Sequence, residues 1–184
     1  MTRLLNCIIA FSIFLFGGCT MHIHQMQPAP VLNITPKYSD INVSVSDSIP
    51  ELYEIPTKNG IKAAKMDTWN STLKGAFSDC LSEFYTVTNN ASYTLEVTRA
   101  DVEFVPDGST SSSYGSNGYV NSVTVPIVRA QIKYSVSLTK AGSEVKRSTG
   151  RALSTSTATS QRAITDLVES ALETMIEEVS EDLL

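Results

Sequence analysis

The chain has 184 residues, 42% of them hydrophobic, with 14 Lys and Arg against 19 Asp and Glu, a net charge of −5. That length is enough for one domain with a real core. The acidic balance excludes the electrostatic footprint of a protein that binds nucleic acid or anionic phospholipid heads.

Arg3 gives a short positive start, Leu4 to Phe16 is an almost unbroken apolar run, and Gly17-Gly18-Cys19 follows it. A membrane-spanning helix needs about 20 apolar residues, so this shorter run fits a signal-peptide core. The two small residues before a cysteine resemble the lipobox of bacterial lipoproteins, although Phe16 stands where those motifs usually carry Leu. The resemblance implies that residues 1–18 are a signal peptide and that Cys19 becomes the lipidated first residue of the mature chain. The mature chain then has 166 residues, with 13 basic against 19 acidic. One acyl chain holds only marginally, and firm anchoring needs at least two, as bacterial lipoproteins carry. Thr20 follows the cysteine in place of the Asp that commonly retains such proteins at the inner membrane. By that sorting rule the chain is expected at the outer membrane, lipid-anchored and facing the periplasm.

Residues 19–37 read as the lipidated cysteine and a flexible tether, polar and punctuated by Pro28, Pro30 and Pro36. Both histidines fall in Met21-His22-Ile23-His24-Gln25-Met26. Thioether and imidazole ligands suit copper, but no acidic or thiolate residue is near in sequence, so neither metal nor cofactor is expected. Residues 38–184 read as a single domain. Ile41, Val43 and Val45 alternate with Asn42 and Ser44 in a strand over 40–46. Pro50, Pro56 and Gly60 make 48–60 an irregular connection. A helix over 67–84 carries Trp69, Leu73, Ala76, Phe77, Cys80, Leu81 and Phe84 on one stripe, which makes Cys80 a structural residue. Gly75 in mid-helix costs up to about 1 kcal/mol relative to alanine, and close approach to a strand would account for it.

Two strong strand signals follow. Tyr93, Leu95 and Val97 share one parity, then Ala100, Val102 and Phe104 share the other, which predicts a bulge near Arg99. Val128, Ala130, Ile132, Tyr134, Val136 and Leu138 alternate with polar residues, the pattern of a sheet with one covered and one wet face. A turn at 140–143 returns a more polar strand over 144–154. Residues 106–121, rich in Ser and Gly, are expected to form a mobile loop ending a long hairpin, with Tyr114 and Tyr119 as candidate partner contacts. From Ser160, a plausible N-cap, to the end runs a helix with a broad apolar stripe. Its acidic remainder reads as a solvated face or a dock for a basic partner.

Chemistry-bearing constellations are missing from this pattern. With both histidines ahead of the folded part, no Ser-His-Asp or Cys-His set can be built there. Asp101 and Glu103 lie two apart on a strand and are expected to meet solvent. The chain is therefore expected to be no enzyme. The element order gives an α+β fold: about four strands in a mainly antiparallel sheet, with two amphipathic helices on one face.

The run from Val128 to Leu138, the Ala141-Gly142 turn, Lys146-Arg147, Arg151-Ala152 and the 163–172 segment resemble the C-terminal half of the YajG-like family of bacterial lipoproteins. The element order also resembles LptE and the PqiC-type transporter subunits. These likenesses imply compartment and fold more than activity. The function they favour is a structural or accessory subunit, oligomeric or not, of a secretion, transport or motility assembly. A lipid or lipopolysaccharide carrier is the alternative.

Overall fold

The computed structural model of the chain describes residues 21–23, 26–56, 63–116, 119–158 and 163–184, and for Met21, 110–116 and 119–126 the backbone alone. In chain order the elements are β1 (Met21–Ile23), β2 (Asp40–Val45), β3 (Tyr53–Ile55), β4 (Ala64–Met66), α1 (Trp69–Leu81), β5 (Thr86–Val87), β6 (Tyr93–Ser116), β7 (Tyr119–Lys140), β8 (Ser143–Leu153) and α2 (Ile164–Leu183). The signal segment, Cys19, His24 and Ser160 lie outside the described residues.

Among the described residues the strands form two sheets, not one of about four strands. A five-stranded sheet has the order β5-β2-β6-β7-β8, and a three-stranded sheet has the order β1-β4-β3. The large sheet is also mixed. β2 runs parallel to both β5 and β6, whereas β6-β7 and β7-β8 are antiparallel. The expected four-stranded, mainly antiparallel sheet is thereby corrected. A parallel pair needs a crossover, and here β3, β4 and α1 supply it between β2 and β6. The extra strands are two or three residues long, too short to show a period in the sequence.

The alternating residues of β7, from Val128 to Leu138, are all buried. On β6 the buried set changes from Leu95 and Val97 to Ala100, Val102 and Phe104. The register shift that permits this falls between Val97 and Arg99. Thr98 is the extra residue, and its hydroxyl donates to Ser135 O at 3.0 Å.

Both helices bury one stripe against a common core. Trp69, Leu73, Phe77 and Leu81 of α1 are fully enclosed, as are Val168, Ala171, Leu172, Met175, Ile176 and Val179 of α2. Glu51 closes the start of α1: its carbonyl accepts Trp69 N–H at 2.8 Å and its carboxylate accepts Ser71 N–H at 3.1 Å. A carboxylate there offsets both the orphan donors and the positive end of the helix dipole. Gly75 makes no close approach to a strand, because a Cβ built on it meets nothing within 4 Å. Gly75→Ala should therefore stabilise the protein by about 0.5–1 kcal/mol. A lowered thermal midpoint would mean that the space is needed.

Candidate functional site

Three features could hold function: the residues with acid, base or thiol chemistry, the segment entering the domain, and the distal part of the β6-β7 hairpin. Among the described residues no group of three or more His, Cys, Asp or Glu is placed to hold a metal. His22 Nδ1 lies 3.4 Å from Asp67 Oδ2, at the surface. Asp101 and Glu103 do not simply meet solvent. With Tyr53, Ile55, Pro56, Phe104 and Lys133 they line a groove of about 300 Å³. Each carboxylate has a cation against it, Arg99 Nε at 2.6 Å from Asp101 and Lys133 Nζ at 2.6 Å from Glu103. Across the groove the Tyr53 hydroxyl accepts Val102 N–H at 3.0 Å, and burial raises its pKa. The groove thus presents ion pairs and a protonated phenol.

Cys80 is half-buried, at the rim of the core. Burial, with Asp79, Glu83 and Glu173 adding their charges, pushes its thiol up to about 11. The nucleophilic thiolate is a very small minority at neutral pH, in keeping with a structural residue.

The segment expected to be a tether is, over its described part, built into the fold: Met21–Ile23 pairs with β4, and the stretch from Met26 to Ile34 is laid on the domain. Met26, Leu32 and Ile34 pack against the core while Gln27, Ala29, Val31 and Asn33 face out. The acidic residues of α2 receive its backbone: Gln27 N–H donates to Glu169 Oε1 at 3.2 Å, Ala29 to Glu173 at 3.0 Å and Val31 to Glu177 at 3.0 Å. The two spacings match because four helical residues and two extended ones both advance about 6 Å. Pro28 and Pro30 fall on the alternate positions, whose amides would point away from the glutamates. On that side Cys80 Sγ lies 3.9 Å from Pro28 O. This part of the acidic face thus serves the chain itself. Replacing Glu169, Glu173 and Glu177 by Ala should cost about 1 kcal/mol locally at each bond and speed amide exchange at 27, 29 and 31 roughly fivefold. Gln replacements, which keep the acceptor oxygen, should preserve protection. Equal exchange in both variants would show that the ladder does not hold the segment.

Residues 106–121 are not a loop over most of their length. β6 and β7 stay paired to Ser116 and Tyr119, with a second register shift between Pro106 and Ser109. Gly108 sits at that shift with φ +111°, where a side chain would be strained. Arg129 Nε donates to Asp107 Oδ2 at 2.8 Å beside it. Beyond this base, Ser109–Ser116 pairs with Tyr119–Pro126, and no further strand joins them among the described residues. The two-stranded arm is about 25 Å long. Its register brings the two candidate contact residues together, Tyr114 opposite Asn121 and Tyr119 opposite Ser116. In this register Tyr114 and Tyr119 occupy diagonal positions of the ladder.

No family model matches the chain, and no curated protein matches it, so the YajG-like resemblance stands on the residues alone. Several solved structures match the chain, those that follow at TM-scores below 0.5. A Xanthomonas campestris protein of family DUF330 is 16% identical, with 88% of this chain and 90% of that chain covered and a TM-score of 0.47. A minor lipoprotein from Acinetobacter baumannii is 8% identical over 79% and 90%, TM-score 0.44. A neuraminyllactose-binding hemagglutinin homolog from Helicobacter pylori is 11% identical over 90% and 92%, TM-score 0.45.

Proposed function

We propose that the chain is a lipoprotein anchored at the outer membrane through Cys19, facing the periplasm, and that it acts as a non-enzymatic accessory subunit of a cell-envelope assembly. The observation that carries this reading is the β6-β7 arm, a paired ribbon that continues past the last residues joined by any other described strand. An isolated two-stranded ribbon is marginal in water, so an arm of this length favours a partner that covers it. The Gly17-Gly18-Cys19 pattern supports the anchor. The paired charges of the Tyr53 groove and the protonated Cys80 favour a subunit over a hydrolase.

The test is a detergent pull-down of the full-length protein with mass spectrometry of protein and lipid. A stoichiometric envelope protein is expected, and it should be lost when the arm is replaced by a short turn while the thermal midpoint stays nearly unchanged. Bound lipid without protein would replace this reading by a lipid or lipopolysaccharide carrier. Cys19→Ala should release the protein into the soluble periplasmic fraction, and firm membrane retention would overturn the anchor.

A further inference from the structure

We infer that the partner covering the arm is a second copy of this chain, joined arm to arm by strand pairing. The inference builds on the reading of the arm as the docking element and names its occupant; it does not depend on lipidation.

Charge is the first reason. Between Asp107 and Arg129 the sequence has no Asp, Glu, Lys or Arg, whereas the whole chain carries −5. Two copies repel each other wherever their acidic bodies meet. The arm is a long uncharged stretch beyond the last residues paired with the other described strands, where copies can pair without that cost. A partner selected by charge would need the opposite design.

The strand edges are the second reason. Natural sheets blunt exposed edges with lysines, inward charges, prolines or very short strands. Over Ser109–Ser116 and Tyr119–Pro126 the arm uses none of these except Pro126 at its base. Its residues are Ser, Thr, Tyr, Val, Gly and Asn, and Thr, Tyr and Val favour extended pairing. The same segment supplies both partners of such a pairing, so complementarity between copies needs no second sequence.

The experiment is analytical ultracentrifugation of the full-length protein in detergent, at micromolar loading. The expected result is a defined oligomer. Val123→Lys with Val125→Lys places like charges on every arm, which opposes pairing, and should weaken association at least about tenfold, equivalent to 1.4 kcal/mol. The midpoint of the body's unfolding, followed by Trp69 emission, should stay unchanged. A version with 109–126 replaced by a short turn should be monomeric. A monomeric wild type, or an oligomer indifferent to both changes, would overturn the inference. If the wild type is monomeric yet captures a stoichiometric envelope protein through its arm, the accessory-subunit reading survives and only the second-copy occupant is lost. Loss of both results removes both readings.

Discussion

Trp69→Ala should lower the unfolding free energy by about 3–5 kcal/mol, the range for emptying a large buried aromatic site. Trp69 is fully enclosed at the first position of α1, and its indole N–H donates to Ala100 O at 3.0 Å. That carbonyl lies just past the bulge at Thr98, where β2 has already stopped pairing with β6; the last matched pair is Val45 and Val97. The indole therefore takes the place of a neighbouring strand. Removing it opens a cavity and strands a buried acceptor, which by itself costs about 1–3 kcal/mol. Trp69→Phe should separate the two effects, keeping most of the packing and losing the hydrogen bond. Urea unfolding followed by circular dichroism is the measurement, because the variants lose the chain's only tryptophan. A Trp69→Ala protein within about 1 kcal/mol of wild type, well below the usual cavity range, would show that the site collapses around the loss.

Gly150→Ala should cost about 1–3 kcal/mol by overpacking. Gly150 pairs with Tyr134 across β7 and β8. A Cβ at position 150 would lie 2.6 Å from the Tyr134 hydroxyl oxygen and 2.8 Å from Cζ. The ring cannot easily move aside: it is buried, and its hydroxyl donates to Glu178 Oε2 on α2 at 2.8 Å. Burial first, then the bond to Glu178, pushes that hydroxyl up to about 12, so it remains a donor at ordinary pH. The Gly150 backbone thus makes room for a side chain that ties the sheet to the terminal helix. In a Tyr134→Ala background the same substitution should be nearly neutral, because the obstructing ring is gone. A double-mutant cycle reads the coupling directly, and an equal cost in both backgrounds would refute the steric account.

Much of the body was legible because its signals are local. The alternation from Val128 to Leu138 identifies the buried face of β7, and the parity change around Arg99 locates the bulge. The stripe from Trp69 to Leu81 gives α1 and its buried face. The arm was missed because Ser and Gly composition outweighed a pairing signal present in the sequence: Asn117-Gly118, a strong hairpin marker, stands directly before Tyr119–Val125, a segment rich in Val, Thr and Tyr. The groove holding Asp101 and Glu103 had no such marker, since Tyr53 reaches it from a strand of three residues.

The sequence alone determined which residues turn inward on β2, on the body parts of β6 and β7 and on both helices, because a period of 2 or 3.6 residues is written within a few turns or pleats of the chain. Tertiary structure decided what each face meets. The parallel placement of β2 beside β6, the short strands of the second sheet, and the seating of 27, 29 and 31 on Glu169, Glu173 and Glu177 all join groups distant in sequence. The last of these contacts span more than 140 residues. An exposed-looking row of glutamates and a proline-bearing segment each read as solvated by themselves. Their fit depends on a helix turn and two extended residues having nearly the same length, and only the folded chain brings those lengths side by side.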